Sequence, residues 1–368
     1  MKFSCEKALL QNAISVAGRA VSAKSSISAL EGILLEGDTQ LKLTGYNMQI
    51  GIRTTLDAQI TQPGRIVLNA KLFGDIIRRM PDDYVSVSVN ENLTVTLSGG
   101  DASFDIIGLS ADDYPDMPEV DDEYSISMEQ GVLKSMIGQT AFAVSTNESR
   151  PVHTGSLFEV EENQLTVVSV DGFRLALRRE KVKSGEGGSF RFVAPGSALK
   201  EVENICSAGE DPIEITRGKR HLLFSCGETQ LICRRLEGEF LDYKNAIPKT
   251  NPIVLEVETK TLLESLDRVS VVISEKLKSP VRCLFRDGSV LLSAKTGNGE
   301  AKDVCLYSGD GRDLEIGFNN RYLMDALRYA PAEKVKMELN SGVTPCLLTP
   351  ADGGESFLYM VLPVRLKA

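Results

Sequence analysis

The feature that most limits what this chain can fold into is one design written three times, at spacings of 123 to 129 residues. An amphipathic helix, several short strands, a second helix and further strands recur in each third. The first helices begin Glu6-Lys7-Ala8-Leu9-Leu10, Glu129-Gln130-Gly131-Val132-Leu133 and Glu258-Thr259-Lys260-Thr261-Leu262, so Leu10, Leu133 and Leu262 correspond. The second helices begin near Asn69, Pro195 and Asn319, where Phe73, Leu199 and Leu323 correspond at spacings of 126 and 124. Such a period is too long for a solenoid unit and suits a whole domain. The expectation is three domains, 1–122, 123–250 and 251–368, one design reused to build a shape rather than a catalytic cleft.

Within each third the two periodicities of secondary structure alternate. Leu10, Ala13, Ile14, Ala17 and Val21 recur at helical spacing, with Lys7, Gln11, Ser15 and Arg19 on the other face. The second repeat continues the pattern through Val132, Leu133, Met136, Ile137, Thr140, Ala141 and Val144, and the third through Leu262, Leu263, Leu266 and Val269. Between the helices lie short β-branched runs that alternate, as in Tyr84–Val89 and Leu165–Val170, the pattern of half-buried antiparallel strands. Asp287-Gly288 reads as a two-residue hairpin turn, and Gly99-Gly100 and Arg217-Gly218-Lys219 as further turns. Acidic, proline-bearing connectors end the first two repeats. The class is therefore α+β, with two helices packed on antiparallel sheets in each unit.

Composition narrows the function. With 42% apolar and 25% charged residues and no apolar run of membrane length, the chain reads as a soluble, cytoplasmic globular protein with no membrane partner. The first apolar stretch is broken by Glu6, Lys7 and Gln11, unlike a secretory leader. Seven cysteines without a C-x-x-C pair read as buried free thiols, with no metal site and no cofactor implied. Catalysis is hard to staff: the two histidines, His153 and His221, lie in different elements, and no phosphate-binding glycine loop or nucleophile elbow occurs. The carboxylate pairs Asp82-Asp83, Asp112-Asp113 and Asp121-Asp122 fall in turn-like, solvated segments. Ser197-Ala-Leu-Lys200 and Lys295-Thr-Gly297 match two of three serine-acylase signatures, but the middle element is missing between them, and Ser197 begins a helix where serine commonly caps backbone N–H groups.

The net charge of −10 sits mainly in the first third, where 10 basic residues face 17 acidic ones. Lys7, Arg19, Lys71, Lys134, Lys200, Lys260, Arg268, Arg321 and Arg328 fall on the polar faces or ends of the helices. Two readings of these faces stay open: a solvated surface of mixed charge, or a sparse, sequence-blind set of phosphate contacts. The tail from Tyr359 to Leu366 is an apolar closing strand equivalent to the runs at Phe104 and Leu231, and proline forces it off the ladder after Leu362. That leaves an apolar, arginine-bearing end suited to wall a peptide groove.

The start Met-Lys-Phe, the segment Val170-Asp-Gly-Phe-Arg-Leu-Ala, Phe240-Leu-Asp-Tyr, Ile316-Gly-Phe-Asn and the terminal Leu-Pro-Val-Arg-Leu resemble the bacterial DNA polymerase III beta subunit family, the processivity sliding clamps. The resemblance covers the whole chain. It implies a non-enzymatic, ring-forming head-to-tail homodimer that encircles duplex DNA without regard to sequence. Polymerases and the clamp loader would be tethered through short linear peptide motifs. Twelve helices about 9 Å apart would line a hole roughly 25 Å across, wide enough for a duplex and a layer of water.

The resemblance also implies positions. The partner-peptide groove would comprise Gly172, Phe173, Arg174, Leu175, Leu241, Tyr322, Val343, Met360, Leu362, Pro363, Val364, Arg365 and Leu366, its apolar members holding leucine and phenylalanine side chains while Arg174 and Arg365 meet polar groups. Leu241, His153 and Asn245 depart from the residues often found at their positions, so motif preference should differ. DNA-facing candidates are Lys24, Asn147 and Arg150, beside Lys7, Lys134 and Lys200. At the dimer interface Val272 and Ile273 would pack near Phe104 of a neighbour, with Asp101, Ser103, Glu300 and Lys302 weakening the usual charge complementarity. The alternatives are an interaction scaffold that never encloses DNA, and a serine acylase built on Ser197 and Lys200.

Overall fold

The computed structural model describes residues 1–121, 124–184, 188–274 and 279–366; the first expected boundary, between 122 and 123, lies outside them, as does Asp122. The first repeat runs β1 (Lys2–Glu6), α1 (Lys7–Gly18), β2 (Gly32–Gly37), β3 (Leu41–Tyr46), β4 (Ile50–Leu56), β5 (Gln59–Gln62), β6 (Gly64–Asn69), α2 (Ala70–Arg79), β7 (Tyr84–Val89), β8 (Thr94–Gly99) and β9 (Ala102–Ile107). The second runs β10 (Tyr124–Glu129), α3 (Gln130–Gly138), β11 (Gly155–Glu161), β12 (Gln164–Val170), β13 (Arg174–Lys181), β14 (Lys183–Ser184), β15 (Phe190–Pro195), α4 (Gly196–Ile205), β16 (Pro212–Arg217), β17 (His221–Cys226) and β18 (Thr229–Arg234). After the short α5 (Tyr243–Ala246), the third runs β19 (Ile253–Glu258), α6 (Thr259–Ser270), β20 (Val281–Arg286), β21 (Ser289–Thr296), β22 (Gly299–Leu306), β23 (Ser308–Gly309), β24 (Leu314–Phe318), α7 (Asn320–Arg328), β25 (Lys334–Leu339), β26 (Cys346–Pro350) and β27 (Phe357–Val361).

The repeated apolar positions set the helix faces. Leu10, Leu133 and Leu262 are buried, as are Phe73, Leu199 and Leu323. Each fully buried side chain of this size contributes roughly 1.5–3 kcal/mol, so equivalent positions hold equivalent helices. Helix ends depart from the periodic pattern. The pattern expected in the second repeat through Val144 stops at Gly138, and Thr140 turns its hydroxyl back onto the Met136 carbonyl at 2.8 Å. Glycine with a β-branched residue two positions on, its hydroxyl competing for a backbone carbonyl, is poor helix material. In the first repeat α1 likewise ends at Gly18, short of Val21. Asn69 and Asn319 cap α2 and α7 by accepting N–H bonds from Leu72 and from Arg321 and Tyr322. Ser197 is the second residue of α4, inside the helix and not at the capping position expected of it. At the Asp287-Gly288 turn both residues have positive φ, 49° and 73°, as a tight hairpin of this length requires.

Each repeat contributes two sheets. One has the order β6-β2-β3-β4, repeated as β15-β11-β12-β13 and β24-β20-β21-β22; the other is β5-β1-β7-β8-β9, repeated as β14-β10-β16-β17-β18 and β23-β19-β25-β26-β27. Two of these sheets continue into a neighbouring repeat. β18 pairs with β4 and β13 with β27, both antiparallel, giving two nine-stranded sheets. Backbone pairing thus crosses the repeat boundaries, and the chain divides into two compact units. One unit holds Met1–Leu133, Lys183–Gly188 and Lys200–Arg235; the other holds Lys134–Val182, Ser189–Leu199 and Leu236–Ala368.

Candidate functional site

In the second unit, the start of β13 and the end of β27 build a compact constellation. Asp171 and Gly172 form the turn before β13, and Gly172 takes φ +90° with open space where a Cβ would lie. The Asp171 carboxylate accepts N–H bonds from Phe173 at 2.9 Å and Arg174 at 3.1 Å, fixing the turn. Its other oxygen takes the Arg174 Nε at 2.9 Å, while Asp325 on α7 takes Nη1 at 2.7 Å. The guanidinium lies 4.5 Å from the Tyr322 ring centroid and 5.4 Å from that of Phe142. Phe173, 58% exposed, stacks on Tyr322 at 6.0 Å. Arg174 is therefore a buried strut between two carboxylates and two rings, not the free hand for a ligand's polar groups that the sequence suggests. A cleft of about 1020 Å³ opens beside it, lined by residues including Asn147, Arg321, Tyr322 and Arg328.

The tail continues this constellation. Leu362 N–H donates to the Phe173 carbonyl at 2.9 Å, so the ladder persists one residue beyond β27 before Pro363 ends it. The chain then docks a second time: Val364 N–H donates to Gly317 of β24 at 2.8 Å. A Cβ on Gly317 would lie 2.5 Å from Leu366 Cδ2, so glycine makes this docking possible. Leu362, Pro363, Val364 and Leu366 are half-buried, and Arg365 is exposed.

Beneath them lies one apolar cluster of Leu157, Val168, Val170, Leu175, Leu177, Val193, Tyr243, Leu347 and Met360, with Val152, Leu236, Phe240, Ile247 and Leu358 packed on it. Leu175 and Met360 are cross-strand partners in it, while Leu241 (41% exposed) and Val343 (70% exposed) present apolar surface elsewhere in this unit. The sequence reading missed Leu177 and Leu347, whose apolar character is unremarkable in strands, and Val152 and Ile247, which lie in and just after short helical turns with no periodic pattern. It also missed Asp171, for which the Asp-Gly turn signal was available. His153 packs edge-on against Phe240 at 5.4 Å, and burial with the nearby Arg150 holds its pKa below the usual imidazole value. Asn245 donates its side-chain amide to Asp242, the cap of α5. The Tyr243 hydroxyl donates to Glu159 at 2.5 Å, and burial raises its pKa.

The DNA-facing candidates separate into two groups. Lys24, Asn147, Arg150 and Lys200 are exposed. Lys7 is half-buried, and its ammonium donates to the Met80 carbonyl at 2.7 Å, capping the C-terminus of α2 instead of standing free for a phosphate. Lys134 is half-buried in α3. Arg19 is paired with Glu201 at 3.3 Å, and Arg78 and Arg79 with Asp75. The helix faces carry mixed charge, much of it matched within the protein.

Among the described residues, β9 and β22 stand at the edges of the five-stranded and four-stranded sheets, although their equivalents in the other repeats, β18 and β27 for one and β4 and β13 for the other, are paired. Both expose apolar side chains, Phe104 and Ile107 on β9 and Val304 and Leu306 on β22. Val272 and Ile273, expected at an interface, are half-buried against the third-repeat core, whereas Val271 is 82% exposed. On β22 the charges are matched locally, Glu300 with Lys302 at 2.9 Å and Asp303 with Arg268 at 2.6 Å, and both carboxyls are held below the usual range by those cations.

The two histidines weighed for catalysis lie in different elements. His153 lies before β11 and His221 on β17, where burial and the flanking Arg234 and Arg220 lower its pKa. All seven cysteines are free and buried, and burial raises the thiols of Cys5 and Cys226 to about 11 and of Cys233 and Cys283 to about 12. A thiol so displaced is a packing group at neutral pH, not a nucleophile. Among the described residues no cluster of three metal-ligating side chains occurs, and no helix is long and apolar enough to cross a membrane.

Comparison with known proteins gives this architecture its relatives. The family profiles of the DNA polymerase III beta subunit match in succession: N-terminal domain over residues 1–118, central domain over 127–242 and C-terminal domain over 244–365. A beta sliding clamp of Bacillus subtilis is 30% identical over 378 residues, 99% of this chain and all of its own, and one of Synechocystis is 31% identical over 392 residues, covering both chains fully. Among solved structures, a putative DNA polymerase III beta subunit from Eubacterium rectale superposes with a TM-score of 0.94 at 31% identity over 99% of both chains. The DNA polymerase sliding clamp from Bacillus subtilis does so with 0.95 at 29% identity over all of both. Three consecutive clamp domains, a full-length match and a shared three-repeat fold lead to one conclusion: the chain belongs to the DNA polymerase III beta subunit family, the beta sliding clamps.

Proposed function

We propose that two copies of this chain close head to tail into a ring around duplex DNA, holding polymerases to their template as a processivity factor in the cytoplasm with no catalysis of its own. Its three domains would be 1–122, 123–250 and 251–368. The observation that carries the reading is a pair of edge strands, β9 and β22, whose equivalents in the other repeats are paired. Within the chain, β4 is sealed by β18 and β13 by β27. The counterpart of β4 and β13 in the third repeat is β22, and the counterpart of β18 and β27 in the first is β9. A second copy supplies the missing partner at each end, and closure removes exposed edges that otherwise invite aggregation. Phe104, with Val272 and Ile273 near it, would line this joint. Lys24, Asn147, Arg150 and Lys200 are the cations and amides available to a passing backbone, with Lys134 half-buried and Lys7 already bonded. Few and scattered, they suit weak contact that permits sliding.

The reading places a partner peptide over the apolar cluster where β13 meets β27, against Gly172, Phe173, Leu175, Leu241, Tyr322, Val343, Met360 and the tail from Leu362 to Leu366, with Arg174 bracing Tyr322 from below. An extended peptide bearing leucine and phenylalanine matches the exposed apolar surface of Phe173, Leu241 and Val343. Clamp-loader and polymerase tails would compete for it. Retention of the protein on circular plasmid, measured by gel filtration before and after linearisation, tests the ring: loss on linearisation is expected. Equal retention on both forms would leave an interaction scaffold that never encloses DNA. Removing Leu362 to Ala368 is expected to abolish binding of such a peptide in fluorescence anisotropy while the dimer persists; unchanged affinity refutes the groove.

A further inference from the structure

The two sealed seams share one register, and that register can be carried to the open edges. In the hairpins Leu97 faces Phe104, Phe224 faces Leu231 and Leu348 faces Tyr359, which makes Phe104, Leu231 and Tyr359 equivalent. Ile66, Phe192 and Ile316 each lie four residues before a second helix; they face Leu35, Phe158 and Cys283, which face Leu43, Val167 and Leu292, which face Thr54, Arg178 and Asp303. Two residues earlier stand Ile52, Ala176 and Ala301. Leu231 faces Ile52 in one seam and Tyr359 faces Ala176 in the other. By the same register Phe104 of one subunit faces Ala301 of the next, a large side chain opposite a small one as in the Tyr359–Ala176 pair.

The neighbouring position differs. It holds Ile232 opposite Gly51 in the first seam and Met360 opposite Leu175 in the second. At the open edges it holds Asp105 and Glu300. Resting on the ring reading, we infer that closure sets Asp105 of each subunit directly opposite Glu300 of the other, an acidic cross-strand pair that makes this joint the weak and reopenable one. Both side chains are exposed on their strands. Asp105 accepts the Thr96 hydroxyl at 2.6 Å, and Thr94 and Ser98 beside it are uncharged. Glu300 is paired with Lys302 at 2.9 Å and faces Lys295 on β21. Lys302 falls opposite Ser103, diagonal to both Asp105 and Asp101. The outward face of each joint then gathers Asp101, Asp105 and Glu300 against Lys295 and Lys302. Asp303 and Arg268, matched to each other, lie on the other face. Like charges directly opposite destabilise antiparallel strands, and a two-subunit ring contains the pair twice.

Sedimentation equilibrium of the full chain tests this. Asp105→Asn and Glu300→Gln are each expected to tighten dimerisation about 2- to 30-fold, and the double variant to add little beyond either, because each single change already removes the repulsion. Dimers that ignore both substitutions, or respond to them additively, overturn the pair while leaving the ring reading standing. A wild type and variants that stay monomeric at every concentration overturn the ring reading itself. Mild oxidation fixes the register separately: Ser103→Cys with Lys302→Cys should cross-link, and Ser103→Cys with Glu300→Cys should not. The native thiols, all buried, contribute little background. Cross-linking of the shifted pair alone refutes the assignment.

Discussion

Strand β27 and strand β9 hold equivalent positions in their repeats, yet β27 lies inside a nine-stranded sheet and β9 ends a five-stranded one. The difference is written in the side chains. Phe357, Tyr359, Met360 and Val361 of β27 are buried, whereas β9 exposes Ser103, Phe104, Asp105 and Ile107. The receiving strands differ in the same sense: β13 carries Leu175, Ala176 and Leu177, and β22 carries Glu300, Ala301 and Lys302. A seam sealed within one chain takes the apolar option, because it never has to part. On the proposed ring, an edge that meets a second copy keeps charge among its apolar residues.

The largest expected effect breaks the sealed seam. Tyr359 is fully buried and donates its hydroxyl to the Tyr329 carbonyl at 3.0 Å; Tyr359→Ala should cost about 3–5 kcal/mol in denaturant unfolding. The equivalent Phe104→Ala should change unfolding of the monomer by under about 1 kcal/mol and appear instead as weaker dimerisation. Equal losses from the two would erase the distinction between seam and edge. Next comes the strut at the sealed seam. Arg174→Lys loses the planar fork between Asp171 and Asp325 and its stacking on Tyr322, and about 1–3 kcal/mol of stability should go with it, alongside weaker peptide binding. Calorimetry showing wild-type stability would mean that the strut is dispensable.

Gly317→Ala sharpens the comparison differently, since the tail runs from the sealed seam onto the sheet that ends in the open edge β22. The added methyl meets Leu366 and the Val364 carbonyl, so the tail should lift and peptide affinity fall about tenfold, within the usual cost of overpacking. Unaltered affinity together with an unaltered tail by limited proteolysis would refute it. The smallest effect concerns Asp303. Arg268 holds its carboxyl below the ordinary range, so the pair contributes stability above the unfolded pKa of about 3.9 that is lost as pH falls through the lower folded value. Arg268 is largely solvent-exposed and Asp303 partly so, and Arg268→Ala should remove less than about 1 kcal/mol at neutral pH and flatten the acid limb of the stability curve.

Much of the fold was legible from local pattern. Leu10, Ile14 and Ala17 recur on one helix face, Tyr84–Val89 alternates, and Asp287-Gly288 demands a tight turn, because side-chain periodicity and backbone permission act over a few residues. Helix ends were less legible: at Gly138 a glycine and a competing threonine hydroxyl outweigh an apolar pattern that runs on to Val144. Of the proposed groove, Phe173, Tyr322 and Met360 were reached through the resemblance. The roles of Lys7 and Arg174 were not, since a cation's partner lies tens of residues away, Met80 for one and Asp325 for the other.

The sequence by itself determined that one α+β design is used three times, with buried Leu10, Leu133 and Leu262 in the same place in each. Only the tertiary structure decided that β18 seals β4, that β27 seals β13, and that β9 and β22 remain open. Alternation tells a strand which face to bury but not which strand to lie beside, because backbone hydrogen bonds are the same for every partner.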